Sequence, residues 1–87
     1  MNCNLKNFDW TLYGTLIRKA RRDAGCPKAE DFGKILKKNT GVYISKNVVY
    51  KIETGRQIPD AEQFMALNLF AFNQAFPPEK IITFLLG

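Results

Sequence analysis

The sequence predicts an all-α fold of five short helices in a single domain, and three observations carry that reading. Apolar residues recur at about 100° per residue in successive segments, the spacing of one helical face. Between those segments stand Gly25, Pro27, Gly41, Gly55, Pro59 and the pair Pro77-Pro78, the residues that most often end helices. Eighty-seven residues, 46% apolar and 24% charged, suit one modest core and are too few for two.

Residues 1–10 read as an N-terminal extension, and the first helix spans 11–24. Leu12, Leu16, Ile17, Ala20 and Ala24 recur at helical spacing, and Gly25 and Pro27 end the run. Arg18 and Arg22 point away from that stripe, while Arg21 falls on its flank beside Ile17. The second helix starts at Lys28 or Ala29 and runs through Lys38. Phe32, Ile35 and Leu36 form its inner face, and Glu30 and Asp31 sit in the first turn, where the helix dipole favours negative charge. Asn39-Thr40-Gly41 is a stop signal.

The third helix follows from I-S-K-N-V-V-Y-K-I-E-T-G-R-Q-I-P, residues 44–59. Ser45 occupies the N-cap position, where a hydroxyl can accept from free backbone N–H groups. Gly55 stands where the chain leaves in the left-handed region. Val48, Val49 and Ile52 fall on one side; Lys46, Asn47, Tyr50, Lys51 and Thr54 fall on the other. Such a helix has one face for a core and one rich in donors and cations, and its size suits the major groove of DNA.

Pro59 and Asp60 open a fourth helix that runs to about Asn73. Phe64, Met65, Leu67, Leu69, Phe70, Ala71 and Phe72 surround it almost completely, which predicts burial at the centre of the core. Pro78 suits the first position of a fifth helix over 79–86. Its apolar arc is wide enough to serve two surfaces: Ile81, Phe84 and Leu85 inward, and Ile82 and Leu86 toward a second copy. A homodimer is therefore expected.

The net charge of +5 is unevenly spread. Residues 18–56 hold eleven Lys/Arg against Asp23, Glu30, Asp31 and Glu53, and the remainder is slightly acidic. A basic segment on such a body points to a polyanion, nucleic acid before membrane. The chain has no histidine, and Cys3 and Cys26 lie far apart, so a four-ligand zinc site cannot be assembled. Ser-His and Cys-His nucleophilic pairs are excluded, and neither phosphate-cradling glycine loop occurs. No enzymatic activity, metal or cofactor is expected. The N-terminus lacks the order of a signal peptide, and no apolar run approaches the ~20 residues that span a bilayer, so a cytoplasmic protein with reduced thiols and no membrane contact is expected.

Four stretches together resemble the phage repressor and Cro-like helix-turn-helix family, the xenobiotic-response-element type. They are I-R-K-A-R-R-D-A-G (17–25), A-E-D-F-G-K-I-L (29–36), the 44–59 stretch quoted above, and I-I-T-F-L-L-G (81–87); the resemblance covers roughly 13–87. It implies a five-helix repressor-like domain that binds double-stranded DNA as a dimer and regulates transcription. It further implies that Lys46, Asn47 and Lys51 face base edges with Tyr50 beside them. Lysine can donate to guanine O6 and N7, and asparagine can pair with adenine N6 and N7. Phosphate contacts would come from Ser45, Arg56 and the start of the second helix at Lys28 and Ala29. Arg21 and Glu53 would form a structural ion pair between helices one and three.

The chain departs from the family in three places. Ala29 and Lys46 stand where the family has glutamine anchors, one extra residue separates Gly25 from Phe32, and the path from Gly33 to Ser45 is longer by about six residues. Two other functions fit the same fold: an antitoxin or antirepressor that also binds a protein partner, and a protein-interaction module without DNA binding.

Overall fold

The structure is a computed structural model that describes residues 8–74, and these residues fold into four α-helices and no strand. They are α1 (Trp10–Asp23), α2 (Ala29–Thr40), α3 (Lys46–Glu53) and α4 (Ala61–Phe72). The expected fifth helix, with Ile82 and Leu86, lies outside the described residues. Helices α1 and α2 each pack on α3 and also on α4.

Each helix begins and ends for identifiable reasons. Asp9 caps α1 by accepting from the Leu12 N–H at 2.9 Å, which starts the helix at Trp10. At its end Cys26 N donates to Arg21 O and Gly25 N to Arg22 O, with Gly25 at φ 79°, a Schellman closure. Helix α2 continues past Lys38 to Thr40. Asn39 and Thr40 are poor helix formers, but the Thr40 hydroxyl donates to Leu36 O and accepts from the Val42 N–H, so it satisfies the last turn itself. Asp60 and Gln63 make a reciprocal capping box at the start of α4, with bonds of 2.8 and 3.0 Å.

The core is built from Phe8, Tyr13, Ile17, Cys26, Ala29, Phe32, Leu36, Ile44, Val49, Ile52, Ala66 and Leu67. Phe8 is buried and Trp10 packs against this core, so the segment read as an extension already contributes to the fold by its eighth residue. Phe8, Trp10, Tyr13 and Phe64 form a cluster of tilted and edge-to-face rings. Two expectations about helix faces need correction. The buried stripe of α1 is Tyr13, Gly14, Ile17 and Arg21; Leu12, Leu16 and Ala20 are half-buried and Ala24 is exposed. Helix α4 is not buried all round, because Met65 and Leu69, one turn apart, are exposed.

A polar pair crosses this core. The Tyr13 hydroxyl donates to Asn68 Oδ1 at 2.5 Å, both residues being fully buried. Burial raises the phenol's pKa well above its ordinary value of 10.0. A group whose folded pKa is raised contributes stability below its unfolded pKa and loses it above. Above pH 10 the unfolded chain releases this proton while the folded chain keeps it. Stability should therefore fall by about 1.4 kcal/mol per pH unit more steeply in the parent than in Tyr13→Phe. Urea unfolding at pH 9.5, 10.5 and 11 checks this; parallel curves for the two proteins would refute it.

Candidate nucleic-acid interface

Helix α3 has eight residues, about 12 Å of length, with one face held and one face open. Val49, Ile52 and Glu53 are buried, and Val48 packs partly against the core. Lys46, Asn47, Tyr50 and Lys51 are all exposed, Tyr50 at 45%. Four of the residues expected to meet DNA therefore share one accessible surface.

The placement of α3 is fixed from both sides by backbone-to-backbone approach. A Cβ at Gly14 in α1 would overlap the carbonyl oxygens of Ile52 and Glu53. A Cβ at Gly33 in α2 would overlap the carbonyl oxygen of Ile44, just before the helix. Only hydrogen fits at either point, so α1 and α2 grip opposite ends of the α3 segment.

An ion pair completes the grip. Arg21 Nε donates to Glu53 Oε2 at 2.7 Å and Arg21 Nη2 to Glu53 Oε1 at 3.1 Å, a two-pronged bond with both residues only 3% exposed. Arg21 Nη1 also donates to the carbonyls of Cys26 and Pro27, at 2.9 and 2.8 Å, which ties the α1–α2 turn to α3. The Glu53 hydrogen bond raises the Arg21 pKa against the opposing effect of burial, so the guanidinium stays charged. Arg18 was expected to point away from the inner stripe. Instead its Nε reaches Glu53 Oε1 at 3.3 Å while its side chain stays 40% exposed. The carboxylate is thus shared by two arginines. Sequence spacing could have suggested this, since Arg18 lies three residues before Arg21 on the same side of a helix.

No family model, curated protein or solved structure matches this chain.

Of the remaining expected contacts, Ser45 and Arg56 lie beyond the two ends of α3, and Lys28 and Ala29 at the start of α2. Ser45 is exposed, adopts an extended N-cap conformation and makes no side-chain cap bond, so its hydroxyl is not committed to the helix end. Arg56 is exposed beyond the other end, where Gly55 at φ 74° turns the chain and Arg56 N donates to Lys51 O at 2.8 Å. Lys28 is exposed and precedes α2 without a side-chain cap bond. Ala29 is buried in the core, backbone included, so the start of α2 is open to a phosphate through Lys28. The Thr54 hydroxyl donates to Tyr50 O at 2.8 Å, which ties it to the end of α3.

Sequence reading missed a second exposed basic face. Lys34, Lys37 and Lys38 of α2 are all exposed, and Tyr43, 54% exposed, follows in the return to α3. Among the described residues no group of three His, Cys, Asp or Glu could hold a metal ion, and no helix is long and apolar enough to cross a membrane.

Proposed function

We propose that this chain is a sequence-specific DNA-binding transcriptional regulator, a five-helix repressor-like helix-turn-helix domain that reads the major groove with α3 as a homodimer. The observation that carries the reading is the division of α3: its inner face is anchored through Arg21–Glu53 and two glycine contacts, and its outer face presents Lys46, Asn47, Tyr50 and Lys51 together. A reading helix must be rigidly positioned while its base-seeking side chains remain uncommitted to the fold. Ser45, Lys28 and Arg56, all exposed, would take phosphates on the groove walls.

The test is duplex binding by fluorescence anisotropy across a salt series, on a site selected from a random duplex library. With about three to five phosphates met per protomer of a dimer, the log–log slope should lie roughly between −5 and −9. Replacing Lys46, Asn47 or Lys51 by Ala should each cost about 1–3 kcal/mol and relax preference at one base position, while Arg56→Ala should weaken all sequences alike. A slope near zero for the parent chain would remove the proposal.

One observation favours a second reading. Met65 and Leu69 are exposed on one side of α4, with Ile58 also exposed just before it. The pair Met65 and Leu69, one turn apart, suits a protein partner, as an antitoxin or antirepressor would need. Co-purification with a neighbouring gene product, together with loss of that complex in Met65→Glu/Leu69→Glu, would favour this reading.

A further inference from the structure

The path from α2 to α3 makes a basic excursion. The chain touches α3's entry at Gly33, whose hydrogen faces the Ile44 carbonyl, and returns to the same point at Ile44. The ten residues between, 34–43, read K-I-L-K-K-N-T-G-V-Y: three lysines and no acid. This projection is ordered. Leu36 is fully buried and Ile35 and Val42 pack partly against the core. Gly41, at φ 80°, closes α2 through Lys37 O, and Thr40 bonds to both Leu36 O and the Val42 N–H.

Lys34, Lys37 and Lys38 lie within about 100° of one another around the helix, so they share one exposed face. Lysines in a last turn commonly complement the helix dipole, and Lys37 does so directly, its Nζ donating to Gly41 O at 3.2 Å. That role does not account for Lys34, six residues before the helix end. It also leaves Lys38 on the same side as Lys34, one turn further out. Lys34 follows Gly33 directly, and Ser45 and Lys46 follow Ile44 directly. The contact between Gly33 and Ile44 therefore brings the backbone from which this lysine face projects against the entry to α3.

We infer that the face formed by Lys34, Lys37 and Lys38 is a second phosphate-binding surface, which lengthens the duplex footprint beyond the bases met by α3 without adding sequence preference. This inference rests on the DNA-binding reading above. From Gly33 the helix advances about 10 Å to Thr40, and duplex DNA carries a phosphate per strand every ~3.4 Å of axis. The projection is thus long enough to follow a strand flanking the groove entered by α3. Lysine, a flexible point charge with three donors, suits a backbone contact that must tolerate any sequence.

The test compares the parent chain with Lys34→Gln/Lys37→Gln/Lys38→Gln, and with Lys34→Gln/Lys38→Gln, which keeps the Lys37 cap contact. The probe is the library-selected duplex, in full length and trimmed by half a turn at either end. Both variants should fold, as melting followed by circular dichroism would show. The lysine face puts the parent slope at the steep end of the range given above or beyond it, and the slope should become shallower by about two to three for the triple variant and about two for the double, counted per protomer. The selected sequence should be unchanged, and trimming one end should weaken the parent but not the triple variant. Unchanged slopes and equal sensitivity to trimming would overturn the inference while leaving the role of α3 intact. Failure of the parent to bind any duplex would overturn both. A changed sequence preference in the variants would show that these lysines read bases and would overturn the claim of indifference.

Discussion

Glu53→Ala is expected to cost about 3–5 kcal/mol of stability, because it strands the buried Arg21 guanidinium without its carboxylate. A domain of this size holds roughly 4–13 kcal/mol in total, so the loss removes from about a quarter to all of it. Arg18 loses its partner as well, but it is 40% exposed and can turn into water, so it adds little. Arg21 cannot move in that way, because Nη1 is already bonded to the carbonyls of Cys26 and Pro27. Replacing both residues together, as Arg21→Met/Glu53→Met, should cost clearly less than the losses of Arg21→Met and Glu53→Met added. Urea unfolding of the four proteins in a double-mutant cycle checks this. Strictly additive losses would mean that the two residues do not stabilise one another.

Gly14→Ala should destabilise the fold by about 1–3 kcal/mol, although the position lies inside a helix. In an open helix the same change would gain about 1 kcal/mol, since alanine is the better helix former. Here the new methyl group would meet the carbonyl oxygens of Ile52 and Glu53, and both belong to backbone that cannot rotate aside. Helices α1 and α3 must then separate and loosen the ion pair beside them. The urea midpoint should fall with little change in slope. A variant as stable as the parent, or more so, would show that α1 and α3 do not approach this closely.

The sequence located most of the helices well and their faces less well. Ends that depend on local chemistry, such as Gly25, Gly41, Gly55 and Asp60, were readable because the cause lies within a few residues. The inner stripe of α1 was read one position away, on Leu12 and Leu16 instead of Tyr13, Gly14 and Arg21. Hydrophobic periodicity assigns no inward tendency to a glycine or an arginine, whereas packing against α3 requires both here. A similar limit applies to α4: apolar residues all round cannot tell which side packs inward, and Met65 and Leu69 are exposed. The open face of α3 was legible because Lys46, Asn47, Tyr50 and Lys51 recur with the helical period. The lysine face of α2 was not, because relating α2 to α3 takes the Gly33–Ile44 contact, which spans eleven residues of chain.

The two-faced build of α3 bears on how such a protein could change over generations. What holds the helix lies in Gly14, Gly33, Arg21, Glu53, Val49 and Ile52, where almost any replacement opens a cavity, a clash or an unpaired charge. What the helix presents lies at Lys46, Asn47, Tyr50 and Lys51, all exposed, where substitutions away from special features usually shift stability by no more than about 0.5 kcal/mol. Drift on the outer face is therefore nearly free of penalty in the fold. On the proposed reading, a lineage of this protein could acquire new target sequences one side chain at a time, each intermediate remaining folded, while the scaffold beneath stays under strong purifying selection.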